Sequence, residues 1–369
     1  MIRKTNILLR LAGYALLVNI VVMSFPSSAF SVREKISPAF YEFPLPESLT
    51  LCGERVPLED QYVREMFDRE FTIMVWDRAQ VFMWLKRAGR YFPHIEKEIF
   101  KAHMPEDLKY LAVAESSLIT YIRSSKGALG TWQFMAHTGR RNGLRKDRTM
   151  DERRSFERST DAAIKYLKGL KDTFGTWALA LAAFNMGETR LKKEIKQQRV
   201  NDYYRLNLPR ETERFLFRIA AIKVILEDPE RYGYYLTPAQ LYRPIEYDTV
   251  NVSIRGSIHI TDVAQAIGID FKAFKEFNPQ ILGYYLPTGR YRLKVPHGLG
   301  AEASLVLKRL DNKGPSPRQD ISGDYYVVQP GDTLIHISRR SGVPVATIKR
   351  LNGISGSLIM VGQKLRIKP

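Results

Sequence analysis

One glutamate of this 369-residue sequence stands in a setting that suits acid–base chemistry. In the stretch 111–135, LAVAESSLITYIRSSKGALGTWQFM, Glu115 lies in a run of small and apolar residues before a Gly-rich turn. The spacing predicts a helix with one apolar stripe that carries Leu108, Leu111, Ala112 and Glu115. A carboxyl group buried on such a stripe keeps its proton to higher pH, which is what a general acid needs. The alternative is a helix-end glutamate that faces solvent or pairs with an arginine such as Arg123.

The turn that follows this predicted helix is suited to contact with a ligand. Gly127 and Gly130 allow the backbone to approach a ligand or another chain segment closely. Gln133 is a polar residue in the otherwise apolar and aromatic segment WQFM, and flat apolar faces beside an amide are a common means of binding sugars. The same pattern is also compatible with a protein core.

Other candidate residues have simpler interpretations. The charged cluster at 151–154 is interpreted as a surface ion-pair loop. His94, His103 and His137 do not have metal-ligand spacing. Because Cys52 is the single cysteine, the chain can form neither an intrachain disulfide nor a Cys-based metal site. The sequence therefore predicts no metal and no cofactor.

Composition and the N-terminal segment restrict the class of protein. The net charge of +18 favours an anionic partner, which could be nucleic acid, an acidic membrane surface or an acidic polymer. Residues 1–29 combine a charged start, a short apolar run and a small-residue cleavage site, which predicts a signal peptide. The alternative is an uncleaved anchor helix that associates with the membrane. We therefore expect an exported protein of the periplasm or cell envelope, and export argues against nucleic acid as a partner. The sequence does not indicate an oligomeric state.

The elements that must position the candidate acid are predicted to be helices. Residues 30–100 form an N-terminal extension that is Pro-rich and irregular at first and helical from about residue 59. A helical domain is predicted for 101–236. After Pro238 the pattern changes to strand-like alternation, and a Pro/Ser/Gly-rich segment predicts a linker at 298–324.

An internal repeat predicts the organisation of the C-terminal third. The segment at 260–281, ITDVAQAIGIDFKAFKEFNPQI, aligns with 334–355, LIHISRRSGVPVATIKRLNGIS. The aligned pairs are Ile260 with Leu334, Val263 with Ile337, Gly268 with Gly342, Phe274 with Ile348 and Asn278 with Asn352. Each copy ends in a short strand pattern, so we predict small βααβ modules at 245–297 and 325–369. The expected fold class is α+β multidomain, with a mainly α domain followed by these modules.

Four motifs occur in an order that points to a known family. The segments ESSL, SSKGALGTWQFM, LAAFNMGE and LPRETERFLFRI stand in the order found in the lytic murein transglycosylases of glycoside hydrolase family 23. Within that family the chain resembles the membrane-bound type D, whose C-terminus carries LysM repeats, from about Leu51 to Pro369. The resemblance implies a goose-type lysozyme-like domain followed by LysM-type modules, with peptidoglycan glycan strands as the partner.

The resemblance also implies roles for particular residues. Glu115 resembles the single catalytic acid/base of the family. The implied substrate-binding residues are Ser116, Ser124, Gln133, Phe184, Asn185 and Glu211. In the last module the implied glycan contacts lie around Gly331, Asp332, Thr333 and Leu334 and around 358–361. The copy at 245–297 lacks the Gly-Asp-Thr turn, and we expect it to bind glycan weakly or not at all.

The reaction implied by the resemblance needs one carboxyl group. Glu115 would protonate the glycosidic oxygen between MurNAc and GlcNAc, and its carboxylate would then take the proton of the MurNAc C6 hydroxyl as that oxygen attacks C1. The product is a 1,6-anhydro-MurNAc end. An intramolecular nucleophile replaces the activated water, and the sequence offers no second acid in a comparable motif near Glu115.

Two departures from the family pattern leave other functions open. Phe184 and Phe215 replace family tyrosines, so two hydroxyl groups are missing. One alternative is a lysozyme-like hydrolase on the same fold, which would produce reducing ends. Another is a catalytically dead peptidoglycan-binding protein, for which the missing hydroxyl groups are the support.

Overall fold

A computed structural model describes residues 42–312, 323–328, 332–360 and 362–368. The predicted signal peptide at 1–29 lies outside the described residues. None of the helices in the described ranges is both long enough and apolar enough to cross a membrane.

Residues 42–245 consist of α-helices and one short β-hairpin. The hairpin strands are β1 (Leu49–Leu51) and β2 (Glu54–Val56). The α-helices are α1 (Gln61–Trp76), α2 (Arg78–Lys101), α3 (Lys109–Ser116), α4 (Ala136–Arg141), α5 (Phe156–Phe174), α6 (Trp177–Met186), α7 (Glu188–Gln198) and α8 (Arg210–Glu227). Short 3₁₀ segments occupy Glu106–Leu108, Glu152–Arg154, Tyr203–Arg205, Glu230–Tyr232 and Pro238–Gln240.

The N-terminal extension differs from its prediction in two places. The region expected to be irregular contains the β1–β2 hairpin, whose turn places Cys52 and Gly53 at φ 55° and 76°. Two consecutive residues with positive φ are typical of the tight turns that match the twist of a hairpin. The continuous helical pattern divides into α1 and α2 at Asp77, whose side chain accepts a hydrogen bond from the amide of Gln80 and so begins α2.

The core of the helical domain lies around α6. This helix is buried on nearly every side, with Leu179, Ala180 and Leu181 fully inaccessible, and it packs against α5, α7 and α8. Gly187, at φ 92°, ends α6. Helix α8 also packs against α1 and α3, so it connects the N-terminal helices to the helix that carries Glu115.

The first predicted module has the expected strand, helix, helix, strand order, together with a second, short strand pair and one additional helix. Its elements are β3 (Tyr247–Ile254), β4 (Ile258–His259), α9 (Ile260–Ala266), α10 (Phe271–Phe277), β5 (Tyr285–Leu286), β6 (Gly289–Pro296) and α11 (Gly300–Asn312). Strands β3 and β6 pair antiparallel, as do β4 and β5. The assignment of 298–324 to a linker is wrong for 300–312, because Ala303 and Leu307 of α11 are buried in the core of this module.

The last module repeats this plan with β7 (Tyr325–Val327), α12 (Leu334–Ser341), α13 (Val345–Leu351) and β8 (Lys364–Arg366). Strands β7 and β8 pair antiparallel. Asn352 donates to the carbonyl of Arg366 at 2.7 Å and accepts from its amide at 2.6 Å. In the first module Asn278 makes the same pair of bonds to Lys294, at 2.7 and 2.8 Å. The aligned asparagines therefore have one structural role, which is to fasten the second helix to the closing strand.

The first module is joined to the helical domain by backbone and charge contacts. The amide of Asp151 donates to the carbonyl of Gln280 at 2.8 Å, and the amide of Leu282 donates to the carbonyl of Thr149 at 2.7 Å. Glu157 of α5 accepts hydrogen bonds from the ammonium of Lys294 and from the hydroxyl of Tyr247. Both partners of the Glu157–Lys294 ion pair are about four-fifths buried, so the pair lies inside this interface.

Replacement of Lys294 by Met is expected to destabilise the protein. The substitution leaves the Glu157 carboxylate in a largely buried place without its cation, which we expect to cost about 1–2 kcal/mol after allowance for partial solvent screening. Denaturant unfolding of the full chain measures this change. The control Lys272→Met removes an exposed lysine whose nearest acid is Glu276 at 3.9 Å, and it should leave stability within about 0.5 kcal/mol. Equal effects of the two substitutions would contradict the assignment.

Candidate active site

Glu115 lies in the last turn of α3, and several contacts fix this helix end. Ser117 and Leu118 leave the helix through left-handed conformations at φ 54° and 59°. The Arg87 guanidinium donates to the carbonyl of Ser117 at 3.1 Å, and the Gln80 amide donates to the Ser117 hydroxyl at 2.7 Å. The negative end of a helix dipole disfavours a carboxylate at this position, so the local backbone favours a protonated Glu115.

The setting of Glu115 perturbs its ionisation strongly. The residue is half-buried, because protein packs around it while it lines an open cleft. Burial raises the pKa of Glu115 to about 8; the charge of Arg218 opposes this rise and that of Glu211 adds to it. Glu115 therefore carries a proton at neutral pH, as a general acid requires. The charges that act on Glu115 are those of Arg218 and Glu211, so the alternative of a glutamate paired with Arg123 is not what the structure shows.

The cleft in front of Glu115 has a volume of about 620 Å³. A cleft of this size accommodates a small ligand or several sugar units of a polymer. Of the sequence-predicted site residues, those that line it are Glu115, Ser124, Gln133, Phe184, Asn185 and Glu211. The fold thus brings together residues from α3, α6, α8 and the turn after α3.

Ser116 does not line the cleft, although the resemblance implies a substrate-binding role for it. It is buried, and its hydroxyl donates to the carbonyls of Ala112 at 3.1 Å and Thr131 at 2.8 Å. The hydroxyl therefore fastens α3 to the Gly-rich turn instead of contacting a ligand in the cleft. Its position supports a role in orienting the helix end that carries Glu115.

The turn at 124–134 is braced by its own polar groups. The Ser124 hydroxyl accepts from the amide of Ala128 at 3.0 Å. Gln133 adopts φ 44° and donates its side-chain amide to the carbonyls of Ile122 and Gly130 at 3.1 and 2.8 Å. Trp132 is fully buried and donates to the hydroxyl of Thr160 at 3.0 Å, so its ring belongs to the core and does not form a sugar-stacking face.

A buried ion pair supports this turn from behind. Asp151 and Arg153 are each 5% exposed and are joined by hydrogen bonds of 2.8 and 2.9 Å. Arg153 also donates to the carbonyls of Gly127 and Phe134. The interpretation of 151–154 as a surface loop is wrong for these two residues, because the turn offers carbonyl groups that the guanidinium satisfies inside the protein.

An aromatic wall forms one side of the cleft. The Phe184 ring lies 5.5 Å from that of Tyr166 and 6.2 Å from that of Phe134, measured between centroids. Asn185, the penultimate residue of α6, accepts from the hydroxyl of Thr212 on α8 at 2.8 Å. Tyr166 also lines the cleft, but the sequence motifs did not identify it, because its position on α5 belongs to none of them. Its hydroxyl stays protonated, since burial raises the pKa of Tyr166 to about 12.

Charged and aromatic residues of α8 also line the cleft. Glu211 is exposed, and its carboxylate lies 3.5 Å from the ammonium of Lys126 on the turn. Phe215, the second residue that replaces a family tyrosine, is buried and lines the cleft wall. Arg218 also lines the cleft. The sequence did not identify it as a site residue, because it belongs to an ordinary helical pattern.

The predicted glycan contacts of the last module are only partly described. Gly331 and Val361 lie outside the described residues. Asp332 accepts from the Tyr326 hydroxyl at 2.5 Å, and Thr333 is exposed and accepts the first backbone bond of α12. The Leu334 side chain is buried in the module core, so the prediction that it contacts glycan is wrong for that side chain.

Comparison with known proteins identifies three domains in this chain. Residues 93–207 match the transglycosylase SLT domain, 247–312 match the LysM-like domain of the lytic transglycosylase MltD, and 326–368 match the LysM domain. The membrane-bound lytic murein transglycosylase D of Escherichia coli strain K12 is 31% identical over 292 residues, which are 76% of this chain and 64% of that protein. The chain thus spans less than two-thirds of the length of that relative.

A second similarity is local. An autolysin of Enterococcus faecalis is 51% identical over 55 residues, which are 15% of this chain and 8% of that protein. The domain matches include the helix that carries Glu115 and both C-terminal modules. The chain therefore contains a transglycosylase SLT domain, followed by an MltD-type LysM-like domain and a LysM domain.

Proposed function

We propose that this protein is a peptidoglycan lytic transglycosylase that cleaves the β-1,4 bond between MurNAc and GlcNAc. The observation that carries the proposal is Glu115, a carboxyl group with a pKa of about 8 on the wall of a 620 Å³ cleft. The SLT domain match and the similarity to an E. coli lytic murein transglycosylase support the same substrate class.

The proposed reaction begins with proton transfer from Glu115 to the glycosidic oxygen. The bond between that oxygen and C1 of MurNAc breaks, and the freed GlcNAc keeps the proton. The C6 oxygen of the same MurNAc then forms a bond to C1 and gives its proton to the Glu115 carboxylate. The acid is regenerated and water is not consumed, so the product ends in 1,6-anhydro-MurNAc.

The cleft suits this reaction because it supplies an acid and side chains that can position the sugar. The Phe184 and Tyr166 rings offer an apolar wall, and Ser124, Gln133 and Asn185 present polar groups near it. A second carboxylate on the cleft wall, Glu211, is exposed and paired with Lys126, so its setting differs from that of a buried acid. The attacking oxygen belongs to the substrate itself, and its high effective concentration replaces an activated water.

Mass spectrometry of the products of purified peptidoglycan tests this proposal. A transglycosylase releases fragments with anhydro ends, and a hydrolase releases fragments that are heavier by one water. We expect the anhydro products. Reducing ends would indicate the lysozyme-like alternative, and absence of any soluble product would indicate a binding protein with an inactive cleft.

The proposal includes the place where the protein works. The predicted signal segment, the wall-directed modules and the E. coli relative described as membrane-bound support export to the cell envelope. Glycan strands of peptidoglycan are the proposed partner of the LysM domain. Membrane association would come from the N-terminal segment.

Activity is expected to fall as the pH rises through about 8. The acid step needs protonated Glu115, whose pKa is about 8, so the competent form is nearly complete at pH 6.5 and declines about tenfold for each pH unit well above 8. Turbidity loss of purified sacculi across pH 5–10 measures this decline, which is the alkaline limb of the pH–activity profile. An alkaline limb near the ordinary glutamate pKa of about 4.3 would contradict the assignment.

A further inference from the structure

A buried glutamate lies on α1, outside the SLT domain match at 93–207. Glu70 is 2% exposed, and its carboxylate lies among three guanidinium groups. The distances from its oxygens are 2.5 Å to Arg69, 2.6 Å to Arg214 and 3.7 Å to Arg218. A carboxylate this deeply buried requires such partners, because the loss of hydration would otherwise be too costly.

One of these arginines also reaches the candidate active site. Arg214 and Arg218 are four residues apart on α8 and so share one face of the helix. Arg218 lines the cleft, and its positive charge is the main influence that opposes the raised pKa of Glu115. The guanidinium of Arg218 therefore interacts with two acids, Glu70 behind it and Glu115 in the cleft.

Other charges also act on the cleft. The titratable and charged side chains that line it with Glu115 are Lys126, His137, Tyr166, Arg190, Glu211 and Arg218. Lys126 is 80% exposed and is paired with Glu211, so solvent screens both. Arg87 of α2 binds the carbonyl at the end of α3. Arg218 is 30% exposed, which leaves its charge less screened than that of Lys126.

We propose that Glu70 is a positioning residue for the reaction: it holds Arg218 against α1 and offsets its charge, and Glu115 thereby keeps its proton. This inference rests on the proposed function. The inference gives α1 a role in the reaction, because the negative charge that offsets Arg218 comes from this helix, and α1 lies outside the SLT domain match. Without Glu70, the Arg218 guanidinium would be uncompensated and would favour the ionised form of Glu115.

The test compares the pH dependence of activity in matched variants of the full chain. Glu70→Gln keeps the shape of the side chain and removes its charge, and the alkaline limb of sacculus turbidity loss should move down by about one pH unit. Arg218→Met removes the positive charge and should move the limb upward. Glu65→Gln, which removes an exposed charge from the same helix, should leave the limb unchanged.

The opposite shifts of the alkaline limb expected for Glu70→Gln and Arg218→Met distinguish this role from a structural one. If Glu70 serves only to hold α1 against α8, Glu70→Gln lowers thermal stability but leaves the alkaline limb in place, and the inference is wrong. If Glu70→Gln does not fold, the test rests on Arg218→Met. An alkaline limb that does not move upward in Arg218→Met would overturn the inference.

Direct titration separates this inference from the proposed function. Carbon-13 NMR of labelled glutamate, assigned with Glu115→Gln, reports the ionisation of Glu115 without any turnover. A lower midpoint in Glu70→Gln supports the inference even if peptidoglycan is not the substrate. An unchanged midpoint overturns it even if wild-type protein releases anhydro products.

Discussion

Replacement of Glu115 by Gln is expected to lower the rate of peptidoglycan solubilisation by about 10²–10⁴-fold, the range typical of general acid–base catalysis. Gln fits the same space but can neither give a proton to the glycosidic oxygen nor take one from the C6 hydroxyl. Turbidity loss of purified sacculi measures the effect. Glu106→Gln is a suitable control, because Glu106 is 68% exposed at the start of the same helical segment. An unchanged rate in Glu115→Gln would show that this cleft is not used for catalysis.

The same substitution is expected to make the protein more stable at alkaline pH. The folded-state pKa of Glu115 is about 8 and the unfolded value is about 4.3, so the folded state binds a proton that the unfolded chain releases between these values. The stability of wild type therefore decreases as pH rises from about 4.5 to about 8. Gln does not ionise, and Glu115→Gln should exceed wild type by about 1–3 kcal/mol at pH 8. Lower stability of the variant would contradict the proposed burial of the acid.

Replacement of Gly130 by Ala is expected to disrupt folding, with a loss of more than about 4 kcal/mol. Gly130 has φ 86°, and a Cβ atom would lie 1.9 Å from the backbone oxygen of Arg153. Neither side can yield easily, because the Gly130 amide donates to the carbonyl of Ile122 at 3.0 Å and Arg153 is held in the buried ion pair with Asp151. Expression level and denaturant unfolding measure the loss.

Gly127→Ala is the matched control for this prediction. Gly127 lies in the same turn at φ 87°, but its nearest atom to a Cβ is the Arg123 guanidinium at 4.0 Å. The control therefore bears the cost of a left-handed alanine, about 1–2 kcal/mol, without the overlap. Similar losses in both variants would show that backbone strain alone, and not the close approach of Arg153, requires glycine at position 130.

Local patterns in the sequence determined much of this structure. The spacing around Glu115 predicted the helix and the inward stripe, because helical periodicity alone assigns residues to faces. The aligned repeat predicted two modules of the same plan, and their shared asparagine contacts follow from the same local order of elements. The motif order also indicated the SLT domain and LysM modules that the comparisons show.

Local patterns did not determine which way several side chains turn. Ser116 and Trp132 have motif positions beside the acid, yet both bind partners in the core. The 151–153 segment has the composition of a surface loop, but the carbonyls of the Gly-rich turn and the first module enclose it. Burial depends on the surface that arrives from elsewhere in the chain, which neighbouring residues do not encode.

The tertiary structure alone decided the electrostatics of the cleft. Glu70, Glu115 and Arg218 are far apart in sequence and belong to three helices, and the local patterns around Glu70 and Arg218 are ordinary. The Arg218 guanidinium interacts with both acids because α8 packs against both α1 and α3, and this coupling could not be derived from the helical pattern that predicted a protonated Glu115. The sequence thus determined the identity of the candidate acid, and packing decided its ionisation, because a charge interaction depends on distance and solvent exposure that exist only in the folded chain.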